Sequence, residues 1–207
     1  MAGKLKHGTA ELVLGFRAHS GWAAVVAVAV SGGKPSVLER CRMETADAAI
    51  QGSRQPYHAA ERLSFREAES LIQVCRESSA RLAADAVHAL VARLARGGHR
   101  VAGTSILFAS GRPLPDLAAI LQSHALIHAA EGEFFREVLV GASERCSLPV
   151  TRVNEREVWD RGGAALRSSA ADLQRIIGEL GRWLGPPWRQ DEKLASLAAW
   201  IALAERR

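Results

Sequence analysis

Apolar positions follow two rhythms along the 207-residue chain. Residues 11–44 carry three short apolar runs, "ELVLGFRA", "GWAAVVAVAV" and "PSVLERCRM", which predict three strands. The last two are separated by "SGGK", whose glycines supply the positive φ angles of a tight hairpin, so the three strands are expected to form an antiparallel meander. From Ser64 the spacing becomes helical. Ser64 and Glu67 make a capping box, Leu71, Val74, Ser78, Leu82, Val87, Leu90, Val91 and Leu94 form the expected buried stripe, and Gly97–Gly98 ends the helix. Residues 45–63 between these regions hold no rhythm and contain Gly52 and Pro56. That connection is long enough to be a candidate functional loop.

Beyond the helix, "HRVAGTSILFAS" reads as a strand, "GRPLP" breaks it, and residues 116–146 read as a second long helix. "LPVTRV" is then a short strand reached from a helix, which implies a parallel crossover. The remainder is helical, as "EREVWDRGGAAL", "SAADLQRIIGELGRWLG" and, after a "PPW" break, "RQDEKLASLAAWIALAERR". The expected fold is α/β. Three antiparallel strands are extended by two parallel strands into a mixed five-stranded sheet with helices on both faces, the element order of the ribonuclease H-like fold. One domain over residues 1–207 is expected, with a flexible stretch over 1–10 and C-terminal helices over 155–207.

Composition adds bounds. The chain is 48% hydrophobic and 24% charged, which suits a globular domain, and its longest apolar run is about half the roughly 20 residues of a membrane span. No signal-peptide pattern opens the chain, and a cytoplasmic location with no membrane partner is expected. Cys41, Cys75 and Cys146 are widely separated and odd in number, so neither a disulfide framework nor a cysteine-rich zinc site is expected. The net charge of +5 admits an anionic partner such as nucleic acid, although the arginines are spread along helices.

Several segments resemble the RuvC-type Holliday-junction resolvases of the ribonuclease H-like superfamily. "GFRAHSGWAAVVAV" is similar to that family's first strand and turn, and "CSLPVTRVNEREVWDRGGAAL" to a later strand and helix. "SSAADLQRIIGELGRWLG" resembles the helix that follows, and "DEKLASLAAWIALA" the closing helix. The resemblance implies carboxylates holding two magnesium ions at a phosphodiester. At the matching positions this chain has Arg17 in place of the first acid, Phe108 and Ala109 around the second, and Asp191 followed by Leu194 for the final pair. An arginine there puts positive charge where the cations would sit, so the resemblance implies a nucleic-acid-binding protein with a degenerate magnesium site.

Polar clusters mark where chemistry is expected. "FRAHSGW" offers Arg17, His19, Ser20 and Trp22; "PPWRQDEK" offers Trp188, Arg189, Asp191 and Lys193; the long loop offers Gln55, Tyr57, His58 and Glu61. Arg17, Ser20, Arg189 and Lys193 are the candidate ligand-binding residues. Either Arg17, Arg189 and Lys193 form an anion pocket, or the charged run simply suits a helix N-terminus with Asp191 and Glu192 in its first turn. In "SHALIHAAEGEFF", His124, His128 and Glu131 share one helical stripe. That set is either a ligand triad for zinc, iron or manganese, extendable by His19 or Asp191, or a polar seam. Gly132 is expected to admit a close neighbour. Candidate catalytic groups are His19, Glu131 and Asp191. Trp22 or Trp188 offers a stacking surface for a base, flanked by Arg112, Arg189, Lys193 and the arginines of "LARGGHR". Three functions remain open: a RuvC-like binder of nucleic acid or another phosphate-bearing ligand, a metal-assisted hydrolase, and a non-catalytic interaction module.

Overall fold

The computed structural model describes residues 10–109 and 113–206. The stretch expected to be flexible lies almost wholly outside the described residues, as do Gly111 and Arg112 of the "GRPLP" break.

Strands β1 (Glu11–His19), β2 (Trp22–Ser31) and β3 (Lys34–Glu44) form the expected meander, and β4 (Arg100–Phe108) and β5 (Val150–Asn154) complete a sheet of order β3-β2-β1-β4-β5. β1 pairs antiparallel with β2 and parallel with β4, and β4 pairs parallel with β5. The ribonuclease H-like order read from the sequence is the order observed. β1 and β2 are apolar without alternation because both faces of the sheet centre are covered. Leu12, Leu14 and Phe16 face one core with α1 (Pro56–Ala60), α2 (Phe65–Arg96) and α4 (His124–Arg145). Val13 faces the other, with α5 (Val158–Leu166), α6 (Ala170–Leu180) and α7 (Gln190–Ala204). No helix among the described residues is long and apolar enough to cross a membrane.

Two expectations change in detail. The stripe of α2 is rotated by about one position in its first half: Ala68, Ile72, Cys75, Ser79 and Ala83 are buried, whereas Val74 is 47% exposed. Small side chains let α2 approach its neighbours closely, and the bulkier Leu71 and Leu82 flank the contact half-buried. The expected helix over 116–146 is split into α3 (Leu117–Leu121) and α4. Asp116 caps α3 by accepting from Ala119 N–H at 2.9 Å, and Ser123, in extended conformation, starts α4 afresh. His124 therefore occupies the first turn of a helix.

α7 is buried on every side from Leu194 to Leu203, with the sheet beneath it and α5 and α6 against it. Its closest approach is at Gly15, where an added Cβ would overlap the Ala195 carbonyl oxygen and press on the Ala199 methyl at 3.1 Å. Gly15→Ala is expected to cost about 1–3 kcal/mol, read as a lowered urea midpoint. Gly141→Ala in α4, where nothing lies within 4 Å of the new methyl, is expected to gain about 0.5–1 kcal/mol in the same titration.

Candidate functional site

The carboxyl ends of β1, β4 and β5 and the N-terminus of α7 meet at one end of the sheet. Strand alternation sends Arg17 to the α7 side. Its guanidinium donates from Nε to Glu155 Oε2 at 3.3 Å and from Nη2 to Glu155 Oε1 at 2.7 Å, a forked contact, and its Nη1 donates to Asp191 Oδ1. His19 Nε2 lies 3.2 Å from the same Asp191 oxygen. Burial works against the Arg17 charge, but the hydrogen bonds and charges of Glu155 and Asp191 outweigh it and hold its pKa above the ordinary arginine value. Two carboxylates thus reach this point where the sequence indicated one. Glu155 follows β5 directly and was grouped with the next helix, so its place beside Arg17 follows only from the β4–β5 pairing.

Around this clamp, His19 stacks on Trp22 with ring centroids 4.2 Å apart, and the Arg42 guanidinium lies 4.0 Å from the Trp22 ring centre. Ser20 is exposed in the β1–β2 turn, and Arg42 and Arg54 both contact Glu44. The exposed Arg189 gives its backbone N–H to Glu192 Oε2 at 2.8 Å, and Lys193 is half-buried one turn into α7. Arg17, expected in an anion pocket with these cations, is taken up by its own carboxylates. Trp188 does not offer a stacking face: its Nε1–H donates to Ile177 carbonyl at 2.8 Å and its ring packs on Gly181. Of the arginines in "LARGGHR", Arg100 pairs with Glu11 at the opposite end of β1, away from this cleft.

The second cluster lies on the other face of the sheet. His124 and His128 are neighbours, with Nε2 atoms 3.0 Å apart, but their third partner is His58 of α1, and the ligand atoms of all three histidines lie within 4.8 Å of one another. Glu131 is 3% exposed and turns away from the ligand set: its Oε1 accepts from Tyr57 N–H at 2.8 Å and its Oε2 from His58 Nδ1 at 3.0 Å. Burial pushes the Glu131 carboxyl above the usual range, and the His58 and Tyr57 hydrogen bonds oppose that shift. His19 and Asp191 face the α7 layer and do not join this cluster, contrary to expectation. Gly132 admits no neighbouring element; the nearest atoms to a Cβ there belong to Arg136 of the same helix. His58 was visible in the loop, but only folding brings it to a helix that begins 66 residues later.

The architecture is the ribonuclease H-like fold in its RuvC-like form. No protein-family model and no curated protein sequence matches the chain. Among solved structures it is similar to Thermus thermophilus RuvC in complex with a Holliday junction substrate, with a TM-score of 0.54 and 12% identity over 95% of this chain and 94% of that one. A second Thermus thermophilus RuvC structure gives a TM-score of 0.53 and 12% identity, with 94% of each chain covered. The likeness is one of fold, and it runs the length of both chains.

Replacing Arg17 with methionine leaves Glu155 and Asp191 facing each other without their shared cation. The expected cost is about 1–2 kcal/mol at neutral pH, discounted from a fully buried pair because solvent reaches all three side chains. Urea titrations of both proteins at pH 7 check this; an unchanged or raised midpoint in the variant contradicts it.

Proposed function

We propose that this chain binds nucleic acid, or another phosphate-bearing ligand, across the carboxyl end of its sheet, without two-magnesium cleavage of phosphodiesters. The observation that carries this reading is the Arg17 clamp. Two-metal hydrolysis needs carboxylates free to hold cations on either side of a scissile phosphate. Here Glu155 and Asp191 are both committed to a guanidinium, and the neighbouring strand end supplies Phe108, which is buried beneath Arg152.

Support for binding comes from the cations around the same cleft. Arg42 is about half exposed, Arg54 and Arg189 are exposed, and the Trp22 ring lies against the Arg42 guanidinium. A phosphate backbone needs solvent-facing cations, and its displacement of counterions makes the affinity fall steeply with salt. The likeness to a RuvC bound to a Holliday junction points to nucleic acid as the first ligand class to test. Ser20, Arg189 and Lys193 complete the proposed contact surface.

The test is fluorescence anisotropy with a labelled four-way junction, a duplex and a single strand at several salt concentrations in the presence of a chelator, followed by gel analysis with magnesium. Binding that weakens linearly in log Kd against log salt is expected, with no cleavage and at least about a tenfold loss in Arg42→Glu/Arg54→Glu. Magnesium-dependent cleavage, or no binding to any of the three at low salt, overturns the reading. Arg17→Asp gathers three carboxylates in the clamp and is expected to create magnesium binding measurable by calorimetry, with none expected there in the original chain.

A further inference from the structure

We propose that His58, His124 and His128 bind one divalent transition metal, zinc by ligand chemistry, with Glu131 orienting His58 and an open coordination position facing solvent. The site is separate from the Arg17 cleft and lies on the other side of the sheet.

The three rings meet edge to face, with interplanar angles of 85°, 68° and 81° and centroid separations of 5.5, 4.6 and 4.5 Å. Rings packed for apolar contact alone need not aim nitrogens at one another, yet the ligand atoms here converge within 4.8 Å. Three nitrogens on tetrahedral zinc at about 2.0–2.1 Å stand about 3.3 Å apart, so the His124–His128 spacing of 3.0 Å is nearly that of a bound site. Closing the third side asks for a ring movement of about 1–1.5 Å, within the reach of small rotamer changes.

Glu131 gives the cluster its direction. Its Oε1 is occupied by the Tyr57 backbone N–H, and its Oε2 receives His58 Nδ1–H, which leaves Nε2 of His58 as the nitrogen with a free lone pair. A buried carboxylate that holds the far nitrogen of a ligating imidazole fixes its tautomer and raises its basicity. Burial of the Glu131 charge is unfavourable unless its partners are well placed, and the half-buried His58 is one of the two that hold it. His124 sits in the first turn of α4, where the helix dipole repels a cation. That repulsion amounts to a few-fold, against the many orders of magnitude that three imidazoles contribute.

His124 and His128 are exposed and His58 is half-buried, so the fourth position opens to water or an exogenous anion. Imidazole-only ligation favours zinc or cobalt over magnesium or calcium, which require oxygen donors.

The chelator-stripped chain is titrated with Zn2+ by calorimetry and with Co2+ by visible absorption. One equivalent of each is expected, with the intense d–d bands of four- or five-coordinate Co2+, and the bands are expected to shift on adding azide. His124→Ala/His128→Ala changes only exposed side chains and is expected to weaken Zn2+ binding by at least about 100-fold without a change in circular dichroism. Glu131→Gln keeps an acceptor for Tyr57 N–H but offers an amide N–H to His58 Nδ1, which forces the proton onto Nε2; a 10- to 100-fold loss in affinity with the fold retained is expected. No stoichiometric binding, or binding that survives in His124→Ala/His128→Ala, overturns the site. Unaltered affinity in Glu131→Gln overturns the positioning role, and Co2+ bands indifferent to azide overturn the open position. All readouts are of metal, whereas nucleic-acid binding is measured in chelator, so the two proposals fail separately.

Discussion

Everything in this fold is arranged around β1, a strand covered on both faces and bonded on both edges. The constraint it imposes is distance. With no side chain at Gly15, the backbone of α7 comes down onto the strand, and the small residues Ala195 and Ala199 form the surface that does so. That approach brings Asp191, at the start of α7, within reach of the end of β1. The electrostatics of the cleft thus follow from a packing contact one helical turn away.

At that strand end a single residue type decides what chemistry is available. An arginine between two carboxylates forms a closed set in which each carboxylate already has a cationic partner. Carboxylates without the arginine form an open set that seeks cations from solution. The fold places no packing demand on that side chain, because Phe16 is the last fully buried residue of β1 and the next side chain already reaches partly into solvent.

Strand order was legible because its signals are local: apolar runs, glycine turns and a capping box each act within a few residues of themselves. Even there, the first half of the α2 stripe was displaced by one position, since Ala and Ser can be buried as readily as Leu where helices pack closely, while Val87, Leu90 and Leu94 are buried as expected. The candidate sites were legible only in halves. His124 and His128 belong to one helix and were visible as a pair, whereas His58 enters from a separate helix. Likewise Asp191 was apparent at a helix start, but Glu155 joins it only through the pairing of β5 beside β4. Spacing within a segment identifies neighbours along a helix or strand and carries no information about which loop will fold against them. Glu131 shows the same limit: its helical stripe was placed correctly, and its role was set by Tyr57 and His58.

Phe16 and Arg17 are adjacent in the chain and point to opposite layers. The histidine cluster and the arginine clamp accordingly share one end of the sheet but not a single side chain. Substitutions that rebuild one need not pass through the other, so the two faces are free to drift under separate selection. A sheet edge-on to solvent with helices on both sides is in this sense a two-sided workbench, on which one chemistry can be dismantled while a second is being assembled.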